Sequence, residues 1–370
     1  MDASSFKPLL DKLVKTPEYF TPDDAKIALE HVFTPGAAKP EQIGSFLTAL
    51  HLYRIERRPE ILTAAVEVLR HRGLKANVED WDNDFVVDIV GTGGDGHNTF
   101  NVSTTAAVVA AGAGARVIKH GSKASTSSSG SADLLQSLDC LFTPPAPDVA
   151  VPLIKQPFTF ILAPHFHPAM AYIAPIRKTL PFRTMFNILG PLINPARPHG
   201  MVLGVAERAL GHTFAASLRD AGVRHALVVC GAEGLDEISC AGETHAWELK
   251  DGTITESTLH PEQFGLQTHP LKNVAGGSPA ENAEAFKTLL TSGADVPAHL
   301  VPILDFVLLN ASALLFVAGK AASFKEGVKL AREAVVSGKA WNALVEFREN
   351  GRKIAEAAAA EVVANSAVAP

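Results

Sequence analysis

The chain reads as an α/β protein in two parts, a small N-terminal helical domain followed by a large α/β domain with a mostly parallel central sheet. Three observations predict this. Residues 1–77 carry only helical periodicity, punctuated by prolines at helix starts. From residue 85 onward, short apolar runs alternate with helical patterns, as parallel strands alternate with crossover helices. The first of those runs ends in a glycine-crowded turn that opens directly into a helix, where sheets of this kind hold ligands.

In the first part, Thr21-Pro22-Asp23-Asp24 supplies an N-cap, a proline at the first helical position and acids in the first turn. Lys39-Pro40-Glu41 and Arg58-Pro59-Glu60 repeat that start ahead of the apolar stretches 43–53 and 61–69. Several short helices packed as a bundle follow from this punctuation, and 1–77 holds no catalytic cluster. Residues 77–84, rich in Asn, Asp and Trp, link it to the second part, 84–365. There the runs 85–90, 116–119, 158–163, 201–205 and 225–230 have the continuity of buried parallel strands. Residues 103–114, 132–138 and 211–221 supply crossover helices. Residues 170–180 are helical but sit among loops, and are expected to pack back on the bundle. Residues 244–260 alternate as an antiparallel hairpin around Asp251-Gly252, and the chain from 280 to 365 is helical, ending in the alanine-rich 355–364.

With 370 residues, 47% hydrophobic and 19% charged, the chain is a compact globular protein long enough for two domains. A net charge of −6 argues against a general nucleic-acid binder, which needs basic surface. Cys140, Cys230 and Cys240 are too few and too scattered for a disulfide framework or a zinc site, so a reducing compartment is expected. The opening Met1-Asp2-Ala3-Ser4-Ser5-Phe6-Lys7-Pro8 lacks the basic and apolar regions of a secretory signal. The longest apolar stretch, 301–317, carries Asp305 and Asn310 and reads as a core helix, not a membrane span. A soluble, cytoplasmic protein without a membrane partner is the expectation.

The chemistry concentrates at strand ends. Val90-Gly91-Thr92-Gly93-Gly94-Asp95-Gly96 follows the first strand and leads through Asn98-Thr99-Phe100-Asn101-Val102-Ser103-Thr104 into an Ala/Val-rich helix. The crowded glycines match neither G-x-G-x-x-G nor a Walker A loop, and an ordinary turn needs fewer of them. Free backbone N–H groups and a helix N-terminus make an anion cradle, which points to a phosphorylated substrate. After the next strand comes Lys119-His120-Gly121-Ser122-Lys123-Ala124-Ser125-Thr126-Ser127-Ser128-Ser129-Gly130-Ser131-Ala132-Asp133, a flexible serine-rich linker or a second phosphate-sized site. Lys119 is a candidate point charge on phosphate; His120 reads first as a hydrogen-bonded structural residue. His165 and His167 alternate, but no Cys or carboxylate stands nearby to complete a metal site. Arg177 is either a surface ion-pair partner or a bidentate carboxylate receptor. Residues 183–195 read as a packing turn fixed by proline, glycine and asparagine. Asp236 and Glu237, in Gly234-Leu235-Asp236-Glu237, form either a solvated acidic face or, opposite a polyphosphate, a seat for Mg²⁺.

Taken in order, Gly91-Thr92-Gly93-Gly94-Asp95, Lys119-His120-Gly121, Gly130-Ser131-Ala132-Asp133, His167-Pro168-Ala169-Met170, residues 183–195 and Gly234-Leu235-Asp236-Glu237 resemble the anthranilate phosphoribosyltransferase family. Gly276-Gly277-Ser278-Pro279-Ala280-Glu281-Asn282-Ala283 and Val307-Leu308-Leu309-Asn310-Ala311 are similar to it too, and the likeness runs to about residue 350. The resemblance implies a nucleoside phosphorylase/phosphoribosyltransferase-like fold whose small domain also takes in helices near 168–188, and a homodimer paired through the helical domain. It implies anthranilate and 5-phosphoribosyl 1-diphosphate (PRPP) as substrates, with Mg²⁺. Carried over by position, the PRPP site comprises Gly91, Gly94, Asp95, Thr99, Asn101, Val102, Ser103 and Thr104. Lys119, His120, Gly121, Ser122, Lys123, Ala124, Ser125, Thr126, Ser127 and Ser131 complete it. Ser103, Asp236 and Glu237 correspond to metal ligands, and Gly91, Ser122 and Arg177 to anthranilate contacts. Two positions depart from the family pattern. Ser122 replaces an asparagine, trading two amide donors for one hydroxyl, and Pro181 replaces a common glycine.

Two other readings fit parts of this sequence. A pyrimidine nucleoside phosphorylase shares the implied fold and a similar phosphate loop, but should carry a different lysine-serine-glycine pattern in place of 119–131. A catalytically silent homologue would not need Asp95, Ser103, Lys119, Asp236 and Glu237 together.

Overall fold

The computed structural model describes residues 1–124, 127–146 and 149–368, with 361–368 as backbone alone. Four helices open the chain: α1 (Ala3–Lys15), α2 (Pro22–Val32), α3 (Pro40–Leu52) and α4 (Pro59–Arg72). The proline starts behave as their chemistry requires. At α2, Thr21 Oγ1 accepts from the Asp24 N–H at 3.2 Å while the Asp24 carboxylate accepts from the Thr21 N–H at 2.8 Å, a reciprocal cap. Phe6, Leu29, Phe46, Leu62 and Leu69 bury together between these helices.

The second part follows as β1 (Ala76–Val78), β2 (Val86–Gly91), α5 (Val102–Gly112), β3 (Arg116–Gly121), α6 (Ser131–Ser137), β4 (Val151–Leu153) and β5 (Phe158–Leu162). Then come α7 (Ala163–Phe166), α8 (Pro168–Lys178), α9 (Met185–Ile188), β6 (Gly200–Gly204), α10 (Gly211–Asp220) and β7 (His225–Gly231). Strands β8 (Thr244–Lys250) and β9 (Thr253–Leu259) precede α11 (Pro279–Thr291), α12 (Val301–Val317), α13 (Phe324–Val336) and α14 (Lys339–Val368). The main sheet has the order β5-β3-β2-β6-β7-β8-β9. Its first five strands are parallel, and the hairpin adds two antiparallel strands at the β7 edge. Strands β1 and β4 pair separately, a three-residue parallel ladder with no apolar run to announce it.

Side chains alternate across the sheet as the two-residue period demands. Val87, Ile89, Val202, Leu227 and Val229 face a core shared with α5, α12, α13 and α14. Met201, Leu203, Ala226 and Val228 face a second core, continuous with α10 and the four N-terminal helices. Ile173 of α8 and Met185 and Phe186 of α9 bury in that second core as well. The stretch 298–317, apolar and long enough to cross a membrane, lies largely inside the protein.

One topological feature positions the site. After β2 the chain moves outward to β3 and β5, then returns to place β6 on the other side of β2. The carboxyl ends of β2 and β6 therefore flank a switch point, where doubly wound sheets leave a crevice for ligands.

Candidate active site

Gly91 ends β2 and pairs with Gly204, which ends β6. A Cβ on Gly91 would strike the Asp236 carboxylate, and one on Gly204 would strike the Asp236 backbone carbonyl. Two bare strand ends thus seat the turn that carries the acidic pair. Beyond Gly91, the glycines at 93, 94 and 96 have φ of +70°, +68° and +79°, values that other residues adopt at a cost. Gly94 has a second reason to lack a side chain, because the Arg183 guanidinium lies against it. Arg183 Nη2 donates to the Thr92 carbonyl at 3.0 Å, and the Gly93 N–H donates to Asp236 Oδ2 at 2.5 Å. The crowded glycines make room for Asp236 and Arg183 as much as for a ligand.

A cavity of about 350 Å³ opens above these strand ends. Gly91, Gly94, Asp95, Thr99, Asn101, Val102, Ser103, Lys119, His120, Gly121, Ser122, Lys123, Ala124, Ser127, Ser131, Asp236 and Glu237 all line it. Four expected positions are not among them. Thr104 lies on α5 behind the lining, 1% exposed with its hydroxyl unpartnered. Arg177 sits on α8 with its guanidinium 5.5 Å from the centre of the Phe186 ring, outside the lining. Ser125 and Thr126 fall outside the described residues.

Side-chain clamps hold the two loops together. Asn98 donates to the Gly276 carbonyl at 2.9 Å and accepts from the Ser128 hydroxyl at 2.7 Å. Asn101 donates to the Ser129 carbonyl at 2.8 Å and accepts from Asn282 at 2.9 Å. Asp133 accepts from the N–H groups of Ala124 and Gly130 at 2.7 and 3.0 Å, fastening the serine-rich loop to the start of α6. The serine-rich stretch is therefore tethered at both ends, and the second family glycine cluster buttresses the first.

The electrostatics are those of a cation seat. Burial first, then the neighbouring Asp95 carboxylate, pushes Asp236 up to about 7. Burial and Asp236 likewise push Glu237 well above the usual carboxylate range, against the pull of Lys119 and a hydrogen bond from Ser103. Lys119 is 1% exposed; its Nζ donates to the Ile89 carbonyl, and its charge acts on Asp88, Glu237 and Asp236. Burial pushes Asp88 up to about 6, although Lys119 and the amide of Asn194, at 2.9 Å, oppose it. Asp95, Asp236 and Glu237 thus line one cavity, the last two held above their usual range by burial and by neighbouring carboxylates. Among the described residues no three His, Cys, Asp or Glu side chains form a ready-made metal cage. Mg²⁺ needs none, since it takes one or two carboxylates and fills its shell with water and phosphate oxygens. The donor set of Ser103, Asp236 and Glu237 fits that ion.

His120 is neutral and inward-facing. Its Nδ1 donates to the Gly190 carbonyl at 3.2 Å, its ring meets His167 edge-on at 5.2 Å, and burial pushes its pKa down to about 3. Four contributors escaped the sequence reading: Gly204, Arg183, Asp88 and Asn194. Only the glycine left a signal, as a strand-terminal glycine in register with Gly91. The stretch 183–195, read as packing, both packs and reaches the site.

Comparisons with known proteins show what the chain is similar to. The family described as glycosyl transferase family, a/b domain, matches residues 83–341, and its helical bundle domain matches 7–73. The chain is 49% identical over 327 residues to the anthranilate phosphoribosyltransferase of Schizosaccharomyces pombe, covering 88% of this chain and 91% of that one. It is 44% identical to the enzyme of the same name from Herpetosiphon aurantiacus, covering 86% and 91%. The structure of the Saccharomyces cerevisiae enzyme in complex with PRPP and Mg superposes with a TM-score of 0.82 at 31% identity, covering 95% of this chain and 98% of that one.

Proposed function

The chain belongs to the anthranilate phosphoribosyltransferase family, and from that premise we propose how its own residues act. The reaction transfers the phosphoribosyl group of PRPP to the amine of anthranilate, giving N-(5-phosphoribosyl)anthranilate and pyrophosphate, a step of tryptophan biosynthesis. The observation that carries the assignment is the meeting of both glycine- and serine-rich loops with Asp236 and Glu237 in one switch-point cavity.

PRPP is assigned to Gly91, Gly94, Asp95, Thr99, Asn101, Val102, Ser103 and Thr104 and to the segment from Lys119 to Ser127 with Ser131. Backbone N–H groups of the 91–96 turn and the first turn of α5 face the diphosphate, where helix-end partial charge favours an anion. Ser103, Asp236 and Glu237 would hold Mg²⁺. That ion, when bound, neutralises charge growing on the departing pyrophosphate. Displacement at the ribose C1 then passes through an oxocarbenium-like sugar, as in glycoside hydrolysis. Anthranilate's amine is a weak nucleophile, so its placement matters more than a base. His120 is no strong base, because burial holds it at about 3. Once the C–N bond forms, the acidic anilinium proton leaves for pyrophosphate or solvent.

Arg177 is assigned to the carboxylate of anthranilate, with Gly91 and Ser122 completing that subsite. It rides on α8, whose Ile173 packs among the N-terminal helices, so approach of the helical part to the α/β part would bring it in. We accordingly take 1–77 with the helices near 168–188 as one moving unit and 84–365 as the other. Exposed apolar side chains on the helical part, Tyr19 at 68% and Leu52 at 70%, support pairing of two copies through it. A cytoplasmic location fits three free, buried cysteines. The test is loss of anthranilate fluorescence. It should require both PRPP and Mg²⁺; phosphate-dependent cleavage of a nucleoside instead would refute the reading.

A further inference from the structure

At the opposite end of the parallel strands lies a second hollow, of about 280 Å³. Arg70, Trp81, Arg197, His199 and Arg224 line it, and no carboxylate does. His199 immediately precedes β6 and Arg224 immediately precedes β7, so the hollow sits at the amino ends of the strands whose carboxyl ends hold the cavity. A strand's length, roughly 17 Å, separates the two.

Its cations lack partners. Ion pairs among the described residues engage Arg57, Arg72, Arg116, Arg219 and Arg332, and none of these three arginines. Arg70 Nη2 donates to the Leu192 carbonyl at 2.8 Å, which leaves its Nε unpartnered. Arg197 and Arg224 stand exposed at the rim. Asp80 and Asp82 line the adjoining hollow, which shares Trp81 with this one. An independent sign comes from His199, which is 4% exposed. Its Nδ1 accepts from the Val86 N–H at 3.2 Å, so the ring proton must sit on Nε2, and that buried donor has no acceptor. Orphaned buried donors are rare in folded proteins and point to an acceptor that is filled by something else. The Trp81 ring lies over His199 with centroids 4.2 Å apart, holding the imidazole in place.

We propose that this hollow is a binding site for a small oxyanion, a phosphate or carboxylate group, seated between Arg70, Arg224 and the Nε2–H of His199. Guanidinium forks and a neutral N–H donor match such an acceptor-only group, and nothing anionic in the lining competes with it.

Trp81 reports on occupancy, since Trp247 and Trp341 do not line the hollow. Inorganic phosphate and, separately, acetate are titrated against the full chain at constant ionic strength while tryptophan emission is followed. Saturable quenching by either anion is expected, and which one binds tighter identifies the group that the site prefers. The response should persist in Asp236→Asn, which disturbs only the cavity above, and disappear in Trp81→Phe. In Arg224→Glu, where an exposed side chain without hydrogen bonds is reversed in charge, binding should weaken about tenfold or more. No saturable response to either anion would overturn the proposal. So would a response unchanged in Arg224→Glu, or one lost in Asp236→Asn.

Discussion

Replacing Gly204 by alanine puts the seating of the acidic pair to the test without touching any ligand-facing side chain. The strand end tolerates alanine conformationally, because Gly204 is absent from the residues with positive φ. Its new methyl, however, would overlap the Asp236 carbonyl, backbone against backbone, where no rotamer change gives relief. Overpacking of this kind costs about 1–3 kcal/mol. Relief comes from lifting the turn, which is tethered by Gly93 N–H to Asp236 at 2.5 Å, by Ile238 N–H to Asn310 at 3.1 Å and by the buried Leu235 and Ile238 side chains. A lift on the order of 1 Å should lower kcat/KM about 100-fold, equivalent to about 2.7 kcal/mol of transition-state stabilisation. Urea unfolding gives the stability and initial rates at several Mg²⁺ concentrations give the activity. Gly242→Ala, where the methyl meets nothing within 4 Å, is the control and should behave as wild type. A stable Gly204→Ala protein with wild-type kcat/KM would refute the seating argument.

Three further outcomes follow from the same geometry. Arg177→Ala should raise the Michaelis constant for anthranilate far more than that for PRPP; equal increases would remove Arg177 from the anthranilate subsite. Asn194→Ala strips partners from Asp88, the Ile118 carbonyl and the Ala196 N–H, each at 2.9 Å in a 1%-exposed site. It should lower the unfolding free energy by about 3 kcal/mol, and a loss below about 1 kcal/mol would show that the network is dispensable. Burial, the main cause, depresses His167 from 6.5 to about 4 and His120 from 6.5 to about 3. The unfolded chain then takes up protons first on acidification. Stability from these histidines is full above pH 6.5 and lost as pH falls towards about 4, by on the order of 3 kcal/mol for His167. His167→Gln should flatten that slope in urea unfolding, and an unchanged slope would assign the acid sensitivity elsewhere.

The five parallel strands were legible because each is a mostly apolar run of the length that a strand buried on both faces requires, and every one begins and ends within two residues of its expected bounds. The hairpin at Asp251-Gly252 was equally plain, since both residues take positive φ at its turn. The three-residue ladder of β1 and β4 left no trace, because its sequence neither alternates nor forms an apolar run. At the site, the loops could be read from glycine and hydroxyl content, whereas their supports could not. Asp88 looks like one polar interruption in a strand, and only the fold brings Asn194 and Lys119 to it. Arg183 sits in a stretch whose prolines and apolar residues advertise packing; its contact with Gly94 spans nearly ninety positions of sequence and leaves no local pattern. Lys119 illustrates the converse, a residue that lines the cavity while its ammonium group donates to the Ile89 carbonyl.

The central claim is that Asp236 and Glu237 tie a magnesium-bound diphosphate to the two loops. Calorimetric titration of PRPP, with and without Mg²⁺, on wild type and on Asp236→Asn/Glu237→Gln measures that tie directly. The isosteric amides relieve carboxylate crowding, so the variant should fold. Wild type should bind PRPP at least about tenfold tighter when Mg²⁺ is present, and the variant should gain nothing from the ion. A full Mg²⁺ enhancement retained by the variant would contradict the claim.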